Sequence, residues 1–326
     1  MHKEYGGYLP IDTRSKEYFS NVAEDKLIRM NAARYAIIRA INSCNYSKVW
    51  IPIYMCFSVI EALESEEGIN CDFYNINEKF EPKLENIGKT ECILITNFYG
   101  QKDDEFYFEQ IEKYKNVIFD NTQCFYANPI LKSGIFNIYS PRKFFGVSDG
   151  AYLIGAEVDK ILTNDLQEDI SFNRVEFVFK SFEEGTNSCY KQYLEAEEDI
   201  ERKGIKSMSR LTRALLGNID YEGIKKKRKE NYQVLCKKLD EINEIDVKYD
   251  VKSPMIYPLV IKREGLRRKL VENKIYIPQW WKIVLNNPKS NKWERYISNY
   301  LFPLPIDQRY ETNDMMILAD KVRNLL

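Results

Sequence analysis

The sequence predicts an α/β protein: a large layer built on a mostly parallel sheet, followed by a smaller α+β unit. Three observations predict it. Helix-like and strand-like stretches alternate from about residue 23 to 155. The strands are short, nearly continuous apolar runs such as VIFD and AYLIG, as in sheets covered on both faces. Beyond residue 218 the pattern changes to charged helices around a single strong strand.

The elements follow in order. EDKLIRMNAARYAIIRAI carries apolar residues at helical spacing, and VWIPIY reads as a strand. CFSVIEALESEE is helical and CDFYNI a strand. ECILITNFYG is a strand ending at Gly100, and DDEFYFEQIEKY is a helix with two acids in its first turn. NVIFD, IFNIYS and AYLIG are strands. Residues 160–205 read as polar and irregular. IDYEGIKKKRKENYQVLCKKLDEI is a long charged helix, MIYPLVI a strand, and REGLRRKLVENK and NDMMILADKVRNLL are helices. The expected division is 1–217, a large domain with an N-terminal arm, and 218–326, a small one.

Composition narrows the function. The 326 residues are 44% hydrophobic and 30% charged, ordinary for a globular chain with a sizeable core. A formal net charge of −1 gives no field that favours nucleic acid or anionic lipid. The KKKRK run is flanked by acids and reads as a solvated helix face. No apolar run reaches membrane-spanning length, and MHKEYGGYLP lacks the apolar centre of a signal peptide. Seven scattered cysteines, never in CxxC spacing, suit reduced thiols in the cytoplasm and no zinc site. The only histidine is His2, so Ser-His, Cys-His and HExxH chemistry lacks a residue inside the fold. No GxGxxG or GxxxxGK[ST] is present. Chemistry must rest on Lys, Asp, Glu, Tyr, Cys or a cofactor.

Three stretches supply it. MNAARYAII opens a helix with small residues, so Asn31, Ala32, Ala33 and Arg34 can hold a phosphate on the helix N-terminus. Asn31 serves equally as a plain N-cap, with the alanines as packing. VIFDNTQ puts Asp120 at the carboxyl end of a strand, the edge where open α/β sheets bind ligands. There it either meets a ligand or caps the next turn. FNIYSPRKFFGVSDGAYLIG sets Lys143 between two strands and beside Phe144 and Phe145. A lysine desolvated by such rings has a lowered pKa and a nucleophilic neutral amine. A surface loop with two basic residues is the bland alternative. Phosphate site, acid and lysine, in that order, are the parts that hold pyridoxal phosphate (PLP).

These residues carry a resemblance to the DegT/DnrJ/EryC1/StrS aminotransferases, PLP enzymes of fold type I that mostly aminate nucleotide-linked keto-sugars. IPIYMCFSVIEAL is similar to the family's strand-and-helix segment near the cofactor, and NFYGQKDD to its "YG…D" stretch. VIFDNTQCFYA resembles "EDAAQ", YSPRKFFGVSDGAYLIG resembles "SFHxxKxxxxxEGG", and LFPLPIDQRYETNDM resembles the "LPxxxxxxxxDM" close. There are departures. NAARY stands for "SGTAA", Ile138 for the serine before the lysine, Cys56 for the stacking aromatic and Ala151 for the second glycine; the nearby histidine is absent.

The resemblance implies fold type I, PLP as cofactor and no metal. Lys143 becomes the Schiff-base lysine and Asp120 the partner of the pyridine nitrogen. Gln123 lies beside the ring, Tyr54 or Phe57 serves as the stacking aromatic, and Ser140 lies close to the phosphate. It further implies amination of a nucleotide-linked keto-sugar for polysaccharide or glycan biosynthesis, glutamate as donor, and a homodimer in which Ser207 contacts the partner's phosphate. Trp280 and Trp281 suit stacking on a sugar or base, or packing in the small-domain core. Arg309 either meets a substrate anion or pairs with Asp307. Two other outcomes stay open: a PLP-fold relative that acts as a binding protein, and a PLP sugar dehydratase or lyase.

Overall fold

In the computed structural model, all residues are described except 1–4, 10, 13–15, 45, 162, 164 and 253. The strands are β1 (Leu27–Met30), β2 (Lys48–Pro52), β3 (Cys71–Tyr74), β4 (Glu91–Thr96), β5 (Val117–Asp120), β6 (Ile135–Tyr139), β7 (Ala151–Gly155), β8 (Tyr257–Val260) and β9 (Leu301–Leu304). The helices are α1 (Ala33–Cys44), α2 (Phe57–Glu64), α3 (Asp104–Lys113), α4 (Glu176–Glu184), α5 (Tyr190–Lys203) and α6 (Arg210–Leu216). They continue with α7 (Tyr221–Leu239), α8 (Leu266–Glu272), α9 (Ile283–Asn286), α10 (Lys292–Tyr300) and α11 (Thr312–Leu325). None is long and apolar enough to cross a membrane.

Seven strands form one sheet in the order β1-β7-β6-β5-β4-β2-β3. Only β7 runs against its neighbours; β6, β5, β4, β2 and β3 are parallel. The carboxyl ends of β2, β4, β5 and β6 therefore share one edge. β5, β6 and β7 are buried at every residue, in keeping with their mostly apolar sequences; the buried exceptions are Asp120 and Asn137. The α/β layer on a mostly parallel sheet is as expected, with β8 and β9 forming a separate antiparallel pair.

Three readings change. The stretch 24–41 is not one helix: a 3₁₀ turn at Glu24–Lys26 and strand β1 precede α1. β1 forms because its backbone pairs with β7 from Leu27↔Ile154 to Met30↔Ala151, a tertiary contact that outweighs local helical spacing. Residues 160–205 hold α4 and α5 rather than irregular chain. They anchor through Arg174, which is buried and donates to Asp169 at 2.7 Å and to Asp199 at 2.9 Å. Finally, the KKKRK run is not wholly solvated. Arg228 is only 3% exposed, bonded to Met255 O and Gln308 Oε1 and lying over the Phe144 ring.

The sheet carries a core on each face. One joins α1 and α2 to the inward residues of β2, β4 and β7. The other is rich in rings, among them Phe19, Phe98, Tyr99, Phe125, Tyr139, Phe144, Phe145 and Tyr152, and reaches Val260 and Leu301 of the β8–β9 pair. A third core lies between α7, α8, α11 and that pair.

Asp149 closes the turn between β6 and β7. Its buried carboxylate accepts from the Ser209 amide at 2.8 Å, from Ser209 Oγ at 2.8 Å and from Thr212 Oγ1. Asp149→Ala leaves these donors without an acceptor. The expected cost is about 3 kcal/mol or more, read as a lower urea midpoint at unchanged slope, with Asp149→Asn losing less. A loss under about 1 kcal/mol for the alanine variant refutes this role.

Candidate active site

The site is assembled at the shared carboxyl edge. Thr96 and Asp120 are register partners on β4 and β5. Thr96 Oγ1 donates to Asp120 Oδ2 at 3.4 Å, and the Thr122 amide donates to Oδ1 at 3.0 Å. Asp120 is 6% exposed, and both donors are neutral. Lys143 ends the 3₁₀ turn Pro141–Lys143 that follows β6, and its Nζ donates to Thr122 Oγ1 at 3.0 Å. Thr122 thus links the lysine to the acid through two hydrogen bonds. Lysine and acid, far apart in sequence, meet here.

The surroundings of the lysine differ from expectation. Phe144 and Phe145 do not cover its amine. Both turn inward, where Phe145 meets Phe125 edge-on at 4.9 Å and Arg228 lies 4.6 Å over the Phe144 ring. Lys143 itself is exposed, so the predicted desolvation by these two rings is absent. The same turn leaves Ser140 buried, with its carbonyl taking the Lys143 amide at 3.4 Å.

At the start of α1, Asn31 is fully buried and committed to the protein. Its Nδ2 donates to Gly204 O at 2.9 Å and its Oδ1 accepts the Lys206 amide at 3.2 Å. Ala36 makes the first amide bond back to Ala32, so the amides of Ala33, Arg34 and Tyr35 precede the helical ladder. Arg34 is half-buried over the Tyr35 ring, and its Nε is buried without a hydrogen-bond partner. Ser207 is half-buried beside Met30 of its own chain, and its Oγ donates to Gln167 O at 3.4 Å.

Aromatic residues form a wall along the β2 and β4 side. Tyr54 is fully buried, bonded through its hydroxyl to Tyr99 at 2.8 Å. Phe57, at the start of α2, is 46% exposed, as is suited to a ring that meets a ligand. Trp280 stacks on Tyr99 at 5.9 Å, and Trp281 packs edge-on against Tyr54 at 4.4 Å. Both indoles are half-buried and join the ring-rich core under the large sheet, not the small-domain core. Arg309 forms a forked pair with Asp307, Nε to Oδ1 at 2.7 Å and Nη2 to Oδ2 at 2.9 Å. Burial works to raise the Asp307 carboxyl, but Arg309 and the nearby Arg228 guanidinium hold it below the usual carboxylate value.

Sequence reasoning did not single out Thr122 or Tyr99. Tyr99 has a left-handed backbone with φ of 61°, strained for a tyrosine. Gln123 supports it: its Oε1 accepts the Tyr99 amide at 2.9 Å. Gln123→Met leaves that buried amide unpaired. The expected loss is about 1–3 kcal/mol in urea titration, with or without cofactor; no measurable loss means the turn stands without Gln123.

No protein-family model matches the chain, and no curated protein matches it by sequence. Solved structures do match in three dimensions. Putative sugar aminotransferase Spr1654 from Streptococcus pneumoniae, in its PLP form, has a TM-score of 0.64 at 13% identity, covering 98% of this chain and 94% of that one. Sugar aminotransferase CalS13 from Micromonospora echinospora gives 0.64 at 13% identity, over 91% and 87%. A DegT DnrJ EryC1 StrS aminotransferase from Brucella abortus gives 0.59 at 10% identity, over 91% and 85%. The chain has the fold of these sugar aminotransferases, PLP fold type I.

Proposed function

We propose that this protein is a PLP-dependent aminotransferase that moves an amino group, with glutamate as donor, onto a nucleotide-linked keto-sugar. The observation that carries the reading is the chain Lys143–Thr122–Asp120 at the carboxyl edge of a sheet with this fold.

The residues fit the cofactor. Asp120 is buried, accepts only from neutral donors and has no cation beside it among the described residues. A carboxylate so placed suits a protonated ring nitrogen. Lys143 is the one amine bonded into the Asp120 network, and is the attachment point in this reading. The unbonded first-turn amides of α1, with Arg34, suit the phosphate. The phosphate side does differ from the usual hydroxyl-rich cup, since Asn31 is committed within the protein and Ile138 is buried in the core. That difference is what favours the second reading, a binding protein without PLP chemistry.

Bound PLP supplies the electron sink that lets a C–H bond next to nitrogen break and re-form. The chain's part is positional. Lys143 Nζ, exposed and directed by Thr122, takes and returns the proton at the substrate carbon. Asp120 keeps the ring nitrogen protonated. Trp280 and Trp281 offer a half-exposed aromatic surface that a sugar or base stacks on. In the same reading the protein is a homodimer, and Ser207 approaches the partner's phosphate site. Light scattering of the holoprotein reads the dimer; a PLP-loaded monomer counts against it.

Purified protein incubated with PLP is expected to show a visible absorption band that borohydride fixes onto the peptide containing Lys143 and that glutamate bleaches. Lys143→Ala loses the band with its fold intact. Asp120→Asn keeps the band and loses turnover by about a hundredfold or more. Absence of any band in the wild type selects the binding-protein reading. A band that glutamate leaves unchanged selects dehydratase or lyase chemistry.

The acceptor has its own measurement. Sugar nucleotides are expected to quench tryptophan fluorescence, and Trp280→Ala weakens their binding by roughly 1–3 kcal/mol. If simple keto acids consume the aminated enzyme while a sugar-nucleotide panel does not, the acceptor assignment fails.

A further inference from the structure

Arg228 stands in a run of five basic residues on α7 but is the buried one of the five. Its guanidinium sits where the β8–β9 unit meets the lysine turn. Nη2 donates to Met255 O at 2.7 Å, and Nη1 donates to Gln308 Oε1 at 3.1 Å. The guanidinium plane lies 4.6 Å from the centre of the Phe144 ring. Gln308 completes the link, its Nε2 donating to Phe144 O at 2.7 Å. Phe144 is the residue next to Lys143. Met255 in turn donates its amide to Tyr99 O at 3.1 Å. One side chain therefore touches the turn that bears the lysine and, through Met255, is linked to the strained loop under Trp280.

We infer that Arg228 and Gln308 are positioning residues, a latch that fixes where Lys143 stands relative to Asp120 and to the aromatic wall. The inference rests on the aminotransferase reading for its catalytic consequence, but not for its physical content.

The chemistry argues for a specific device rather than general packing. Lys143 is exposed, so its own side chain has little packing to hold it. Its turn is a single 3₁₀ turn, closed by Lys143 N to Ser140 O at 3.4 Å and by the Phe144 and Phe145 amides to Pro141 O at 2.9 and 2.8 Å, bonds that hold the backbone and leave the outward lysine side chain to be aimed from elsewhere. Upstream it is held by β6 and downstream by the two buried phenylalanines. The Phe144 carbonyl is the backbone group beside Lys143 that a side chain from another unit grips. A guanidinium is suited to this task, because its rigid fork reaches two acceptors while its face lies on a ring. A lysine has the charge without the fork. Among the described residues, Arg228 also has no carboxylate in direct contact. Asp307 acts on it at longer range while pairing directly with Arg309. Its geometry is thus set by carbonyls and a ring, groups that belong to the site's own backbone and core.

Two variants test the latch in the full chain. Arg228→Lys keeps the charge and loses the fork. Gln308→Glu keeps an acceptor for Arg228 and loses the donor to Phe144. The first measurement is hydrogen exchange without cofactor. Peptides over residues 139–146 are expected to exchange about tenfold faster in both variants, and those over 97–101 in Arg228→Lys, while β4, β5 and α11 keep wild-type rates. The second uses protein loaded with PLP. The pH midpoint of its visible band shifts in both variants, and kcat falls about tenfold to a hundredfold with KM within about threefold. Wild-type exchange in the 139–146 peptides of both variants overturns the latch. So does faster exchange across the whole chain, which marks general destabilisation. Local exchange changes with an unshifted midpoint and unchanged kcat overturn the positioning role. If the wild type takes up no PLP while the local exchange changes appear, the latch stands and the aminotransferase reading falls.

Discussion

The site depends on one buried carboxylate that touches no part of it directly. Asp149 gathers the Ser209 amide and hydroxyl and the Thr212 hydroxyl, donors about 60 residues away in sequence. This bond set draws the segment around 207–212 against the turn that carries Lys143. The same segment pairs with the entry to α1: Met208 N meets Arg29 O at 3.2 Å, and Asn31 N meets Lys206 O at 3.0 Å. Gly150 then donates to Asn31 O at 2.7 Å. Three stretches of chain meet at this point. Gly150 has a φ of 121°, and a Cβ there would lie 3.1 Å from Pro141 and 3.2 Å from Thr212, so both space and backbone demand glycine. The lysine turn and the start of α1 are consequently one mechanical unit.

The opposite flank is held by rings rather than charge. Phe125 contacts Tyr18, Phe19, Tyr126, Phe144, Phe145 and Tyr221, most of them tilted or edge-on. Edge-to-face contacts fix ring orientation as well as burying area. Residues 17–19 of the N-terminal segment belong to this packing. Glu17 accepts from Arg29 at 2.9 Å and from the Tyr152 hydroxyl at 2.8 Å, which ties the segment to β1 and β7. Burial and this acid neighbour push the Tyr152 hydroxyl well above its ordinary pKa, so it remains a donor at any working pH.

Legibility in the sequence followed burial. β4, β5, β6 and β7 announce themselves because strands covered on both faces must be mostly apolar. Asp120 and Lys143 stood out because each lies at or just past the carboxyl end of an apolar strand, and the structure brings both to one edge of the sheet. β1 was not, because a four-residue strand is specified by its partner β7 and not by its own spacing. α4 hid for a different reason. Phe179 and Phe182 are 54% and 92% exposed, so its apolar residues do not mark a buried face. The commitment of Asn31 to Gly204 and Lys206 lies some 170 residues downstream, beyond any local pattern. Arg228 was masked by its neighbours: within a basic run, nothing local separates the one buried guanidinium from the four lysines around it.

The aromatic wall shows how such distant specification fixes a surface. Phe80, Tyr99 and Trp281 all hold left-handed backbones, with φ of 58°, 61° and 53°. Conformations of this kind cost of order 1–3 kcal/mol each for a bulky residue and persist only where the surroundings over-determine them. Here the three meet in one cluster: Phe80 lies edge-on to Tyr99 at 5.5 Å, and Trp281 contacts Phe98 at 5.9 Å. Gln123 holds the Tyr99 amide, Met255 holds its carbonyl, and Ser298 Oγ bonds the Trp280 and Trp281 carbonyls. A surface held this tightly does not reshape itself around a ligand. In the proposed reading it would recognise by a fixed form, its half-exposed rings offered to the face of a sugar or base. The wall and the lysine turn are joined through Met255 and Arg228, so the distance between the indole face and the Lys143 amine is set by the fold itself.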